Sequence, residues 1–145
     1  MDPTFYDHEY LIINELAYKV GEPQRGDIIV FKYPKDPSQF FIKRIIGLPG
    51  EKVEISDNHV YIYKQDKKMV LDESSYIGAN LSTDASNSWT LGQNEYYVMG
   101  DNREFSMDSR VFGPVYRELI VGKVWLRGWP INRISIFPEV DYGIN

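Results

Sequence analysis

Short apolar runs, each closed by glycine, proline or a polar pair, recur along this chain of 145 residues. Tyr10-Leu11-Ile12-Ile13 is the first, a candidate buried strand ending at Asn14. The turn material Glu22-Pro23-Gln24-Arg25-Gly26-Asp27 leads into Ile28-Ile29-Val30-Phe31-Lys32-Tyr33, a strong strand signal. Pro34, Asp36 and Pro37 break that run, and Phe40-Phe41-Ile42-Lys43-Arg44-Ile45-Ile46 follows after a short loop, closed by Gly47-Leu48-Pro49-Gly50. Val53-Glu54-Ile55 and Val60-Tyr61-Ile62 alternate in and out about Asp57-Asn58, the pattern of a hairpin with a tight turn. Glu95-Tyr96-Tyr97-Val98-Met99 and Lys123-Val124-Trp125-Leu126-Arg127-Gly128-Trp129-Pro130 read as further strands. One helical turn is expected within residues 115–121, and the tail over 131–145 shows no periodicity. Nothing repeats. Many short strands with Gly and Pro punctuation predict an all-β domain. Its β core is expected over residues 1–55 and 94–145. Residues 56–93, rich in Ser, Asn, Thr and Gly in their second half, are expected to form an inserted, cap-like subdomain with short strands.

Two stretches carry candidate chemistry. In a strand, Phe41, Lys43 and Ile45 share one face, and Ile42, Arg44 and Ile46 the other, so neither cation lies on a polar face. A lysine among apolar neighbours loses charge more readily, and a neutral amine can take a proton. The alternative is an edge strand whose Lys43 reaches out to water while Arg44 is ion-paired. The second stretch, Gly100-Asp101-Asn102-Arg103-Glu104-Phe105-Ser106-Met107-Asp108-Ser109-Arg110, follows an apolar strand with three acids, two arginines and two serines. It is either a solvated turn laced with Asp-Arg pairs or a loop presenting reactive groups from a sheet edge. Together, a strand lysine and a Ser-rich loop with Asp and Arg supply the parts of a serine-lysine hydrolase.

Composition narrows the choice. Hydrophobic content of 43% and charged content of 26% are ordinary for a globular domain, and 14% aromatic residues, with 11 tyrosines, favour sheets. A net charge of −5 without any basic run argues against nucleic acid as a partner. The chain has no cysteine, which excludes disulfides and thiolate chemistry. Its two histidines, His8 and His59, are far apart in sequence, so a histidine triad or a metal cluster is poorly supported. No apolar run approaches the ~18 residues that span a bilayer. No signal peptide opens the sequence, and the chain as given is expected to be soluble.

The motifs resemble those of type I signal peptidases at matching order and spacing. Met1-Asp2-Pro3-Thr4 is similar to the tail of that family's Ser-Met-x-Pro-Thr segment. Arg25-Gly26-Asp27-Ile28-Ile29-Val30-Phe31 followed by Ile42-Lys43-Arg44-Ile45-Ile46-Gly47-Leu48-Pro49-Gly50 resembles the lysine-bearing segment. Gly100-Asp101-Asn102-Arg103 with Ser106, Asp108-Ser109-Arg110 and Gly113 resembles the third, and Trp129-Pro130-Ile131-Asn132-Arg133 the family's C-terminal end. The resemblance implies coiled antiparallel sheets of the signal peptidase and LexA-like type, and an endopeptidase that removes signal peptides from exported preproteins. Lys43 would be the general base and Ser106 the group that orients its amine. Asp108 would pair with Arg110, and Asp101 with Arg44. Met1, Phe5, Phe41 and Ile42 would line shallow pockets for the small side chains of an A-x-A-like cleavage site. No metal or cofactor is implied.

In the family the nucleophilic serine immediately precedes that methionine, a place ahead of Met1. The expectation is a membrane-anchored protease of the outer face of the cell membrane, read here without its nucleophile and therefore inactive as given. A non-catalytic pseudo-peptidase of the same fold, serving as a binding or scaffold domain, is the alternative. A self-cleaving repressor of the LexA type would need a basic pair of DNA-binding helices, and nothing here suggests one. Trp125 and Trp129 lie four apart and would face the same way on a strand, either in the core or against lipid.

Overall fold

The computed structural model describes residue 4 and residues 10–65, 67–77, 83, 86–129, 134–137, 140 and 142. Its strands are β1 (Tyr10–Asn14), β2 (Ile28–Tyr33), β3 (Asp36–Gly47), β4 (Lys52–Ser56), β5 (His59–Lys64), β6 (Lys67–Val70), β7 (Asn87–Thr90), β8 (Glu95–Met99), β9 (Val115–Tyr116), β10 (Ile120–Trp129) and β11 (Ser135–Ile136). Two short helices, α1 (Ala17–Val20) and α2 (Ser109–Phe112), and a 3-10 turn at Arg117–Leu119 complete the described elements. The strands form two antiparallel sheets, ordered β1-β10-β2-β3-β8-β9, with β11 also on β10, and β6-β5-β4-β7. The chain is all-β.

Alternation along the strands decides which face each residue serves. Ile29 and Phe31 of β2, Ile45 of β3, and Tyr96 and Val98 of β8 bury together on one face of the larger sheet, with Phe41 and Phe112 packed against them. On the opposite face Ile28, Val30 and Val124 form a second cluster. Farther along that face, Ile46, Tyr97 and Met99 join Val53, Ile55, Val60 and Ile62 of the smaller sheet. The two sheets therefore share one core where they meet.

The smaller sheet starts at Lys52, where β4 pairs with β5 on one side and β7 on the other. β4 and β5 keep unbroken register from Lys52↔Tyr63 to Ser56↔His59. Asp57 and Asn58, at φ of 50° and 66°, form the turn that matches strand twist. β1 is less buried than its apolar sequence suggested: Tyr10, Ile12 and Ile13 are exposed and only Leu11 packs inward. It is an edge strand, covered on one flank by β10. β3 begins at Asp36, which pairs with Tyr33 across Pro34 and Lys35. Pro37 is tolerated there because it stands at the start of a strand. Residues 115–121 hold the 3-10 turn Arg117–Leu119 between two strands. The helix α1 had no periodic signal; Asn14 Oδ1 starts it by accepting the amides of Leu16 and Ala17, each at 3.0 Å.

Candidate active site

β3 holds Lys43 at the place where one of its neighbours ends. β2 pairs along its length, with Lys43 opposite Ile29 and Phe41 opposite Phe31. β8 pairs with β3 only from Arg44, which lies opposite Met99. Residues 40–43 thus have a flank with no strand partner among the described residues. Gly100 follows Met99 and comes up beside Lys43. A β-carbon on Gly100 would overlap Ser106 Oγ and lie 3.6 Å from Lys43 Cδ. Only glycine lets both side chains close on this piece of backbone.

Lys43 stands between Phe41 and Ile45 on the apolar face, with Nζ 5.6 Å from the centre of the Phe41 ring. The amine donates to the Ile42 carbonyl at 3.0 Å. Burial pulls its pKa below the ordinary lysine value, against the opposing charges of Asp108 and Asp101. No salt bridge among the described residues includes Lys43. Ser106 Oγ is buried and has no hydrogen-bond partner among the described residues. The two groups share the Gly100 surface without a bond between them, so in this arrangement Ser106 does not orient the amine.

The loop over residues 100–108 is built inside out. Asp101, Arg103 and Asp108 are buried, whereas Phe105 is 84% exposed and Met107 44%. Ion pairs allow it. Asp101 takes Arg44 through two bonds, Nε to Oδ1 at 2.9 Å and Nη2 to Oδ2 at 2.7 Å. The Arg44 guanidinium also lies 4.0 Å from the Tyr76 ring centre. Thr4 Oγ1 donates to Asp101 Oδ2, and Arg127 donates to the Thr4 carbonyl at 2.8 Å. Asp108 receives Arg110 Nε and Nη2, both at 2.9 Å, and accepts the Gly100 amide at 3.0 Å. Arg103, 2% exposed, donates to both oxygens of Glu73 and to Thr83 Oγ1, between β6 and β7.

Phe41 and Ile42 point to opposite faces of β3. Phe41 stacks on Tyr33 at 4.6 Å and meets Phe112 at 6.3 Å. Ile42 packs against the cluster of Ile28, Val30 and Val124. Met1 and Phe5 lie outside the described residues. Trp125 is half exposed, and the Trp129 side chain lies outside the description. Sequence reasoning gave no role to Thr4, Glu73, Tyr76 or Thr83. Thr4 stood inside a quoted motif and was open to notice. The other three had no local signal, because the arginines they meet, Arg44 and Arg103, lie far along the chain.

The sequence and the fold have known counterparts. A family model described as "Signal peptidase, peptidase S26" matches residues 1–129, which include β3 and the whole loop. The chain belongs to that family. It is 38% identical over 144 residues to a probable signal peptidase I-2 of Synechocystis, covering 96% of this chain and 63% of that protein. It is 36% identical over 157 residues to signal peptidase IB of Staphylococcus aureus, covering all of this chain and 78% of that protein. A crystal structure of a signal peptidase I from Enterococcus faecalis superposes with a TM-score of 0.59 at 34% identity, over 72% of this chain and 97% of that one. The coiled antiparallel sheets are thus those of the family. No helix among the described residues is long and apolar enough to cross a membrane.

Proposed function

We propose that this chain carries the catalytic domain of an endopeptidase that removes signal peptides from exported preproteins at the outer face of the cell membrane. The observation that carries the reading is Lys43: a desolvated amine, free of ion pairs among the described residues, set where β8 ends and beside the buried hydroxyl of Ser106. The nucleophile would be the serine that the family places immediately before Met1. The bond from Thr4 to Asp101 supports this, since Asp101 also holds Arg44, the neighbour of Lys43 in β3.

A neutral Lys43 would take the proton from that serine as its oxygen attacks the scissile carbonyl. The resulting ammonium would return the proton to the departing amine, leaving an acyl-enzyme. Lys43 would then deprotonate the water that releases the acyl group. Lys43 Nζ would leave the Ile42 carbonyl for Ser106 Oγ, which would orient it. The preprotein would lie as an extended strand along the free flank of residues 40–43. Phe41 and Ile42, being on opposite faces, would line separate pockets for small side chains, together with Met1 and Phe5. The anchor of the whole protein, with Trp125 against lipid, would hold this domain at the bilayer surface.

The test is to place a serine ahead of Met1 and assay cleavage of a synthetic preprotein peptide with an Ala-x-Ala site. The expected result is cleavage by the serine-extended chain and none by the sequence as given. Lys43→Ala should lower kcat by about 10²–10⁴-fold, the usual worth of a general base. Undiminished cleavage by Lys43→Ala overturns the mechanism, and an inert serine-extended chain favours the pseudo-peptidase.

A further inference from the structure

We propose that Glu73, in the insert, is a positioning residue for the Lys43 site, acting through Arg103 on the Gly100 backbone. This rests on the general-base reading of Lys43. Gly100 is the surface on which the Lys43 stem and Ser106 both close. Its two backbone groups are each held by a buried ion. The amide donates to Asp108 at 3.0 Å, and the carbonyl accepts Arg103 Nε at 3.0 Å. Arg103 can serve that carbonyl only if its own charge is matched, and Glu73 matches it. Nη1 and Nη2 reach the two Glu73 oxygens at 2.9 and 2.5 Å.

Glu73 also reaches the site from the strand side. Its Oε1 accepts the Tyr76 hydroxyl at 2.7 Å, and the Tyr76 ring lies 4.0 Å from the guanidinium of Arg44. One carboxylate therefore fixes the loop on one side of Gly100 and the strand residue beside Lys43 on the other. A brace that served only the insert would need neither the Gly100 carbonyl nor Arg44. The insert thereby becomes part of the catalytic geometry instead of a mere cover. Misplacement of a catalytic group by a fraction of an ångström to an ångström lowers turnover more than binding.

In the serine-extended chain, Glu73→Gln should reduce kcat on the order of tenfold with KM changed by less than about twofold. A loosened loop lets water reach the amine, so its pKa rises and the acid limb of the kcat/KM profile moves to higher pH. Asp101 and Asp108 are the charged groups acting on Lys43. Their presence opposes the depression and does not reverse the expected direction. Tyr76→Phe, which keeps the ring and removes only the hydroxyl, should give a smaller change of the same sign. Glu54→Gln, in a half-exposed pair with Lys52 within β4, should change neither quantity. An NMR titration of the Lys43 amine in the sequence as given should show the same upward shifts, and it needs no turnover. If Glu73→Gln keeps the parental kcat, profile and Lys43 titration, the proposal is overturned. If Glu73→Gln does not fold, Tyr76→Phe decides by the same readouts, and an unmoved Lys43 titration overturns the proposal. Activity that survives Lys43→Ala defeats the general-base reading instead, and the titration separates the two failures.

Discussion

Burial makes Lys43 easier to deprotonate, and the same burial opposes folding while the amine is charged. A free lysine titrates near ~10.4, and the folded group titrates lower. Between those two values the unfolded chain holds more protons, so stability rises with pH across the window. Below it both states are protonated and the full penalty stands; above it both are neutral and the penalty is gone. Lys43→Met should therefore be more stable than the parent at about pH 6, with an advantage that shrinks as pH climbs toward ~10. Urea denaturation at the two pH values measures it, and an advantage that grows with pH contradicts the assignment. Ser106 behaves differently because its hydroxyl is buried without a partner among the described residues. Ser106→Ala should leave stability unchanged or raise it by up to about 1 kcal/mol. In the serine-extended chain the same change should cut kcat, a pairing of effects that a structural serine would not produce.

At the scale of elements, β3 and the loop after β8 depend on buried charge being matched. Asp101→Asn keeps the shape of the side chain and strands the Arg44 guanidinium, 5% exposed, without its carboxylate. The expected cost is about 3–5 kcal/mol. Adding Arg44→Leu should recover part of it, since no buried cation is then left unpaired; equilibrium unfolding of the single and double variants checks this. The same pairs explain what could be read from the sequence. β2, β3, the β4–β5 hairpin, β8 and most of β10 show in the alternation of apolar residues, and the motif residues stand together in short stretches. The burial order of the loop did not show. Hydropathy places Phe105 and Met107 inside and Asp101, Arg103 and Asp108 outside, and ion pairing reverses it. Nor could the partnership of Arg103 with Glu73 be read, because it joins a motif to the least patterned part of the chain. The exposure of β1 depends on which strands flank it, and that is a property of the assembled sheet.

At the scale of the whole molecule, the question is whether the smaller sheet is a separate folding unit. Its inner residues Val53, Ile55, Val60 and Ile62 bury against Ile46, Tyr97 and Met99 of the larger sheet, within one cluster. Separating the sheets would expose both sides of that cluster at once, and each buried aliphatic or aromatic side chain is worth about 1.5–3 kcal/mol. The Glu73–Arg103 pair crosses the same boundary. Neither sheet should therefore survive the loss of the other, and unfolding should be a single transition. The tryptophans allow a direct check, since Trp89 lies in β7 and Trp125 in β10. A chain with Trp125→Phe and Trp129→Phe reports on the smaller sheet, and one with Trp89→Phe and Trp129→Phe on the larger. Fluorescence and far-UV circular dichroism should give coincident midpoints in each; an earlier transition seen by Trp89 alone would mean an independent subdomain. Gly47→Ala sharpens the test. A β-carbon at Gly47 would overlap Val53 Cγ2 and lie 2.8 Å from Leu91 Cδ1 and 3.0 Å from Tyr97 Cβ, at the joint between the sheets. Overpacking there should cost about 1–3 kcal/mol. In one cooperative unit that loss moves both tryptophan midpoints together, whereas in two units it moves them apart.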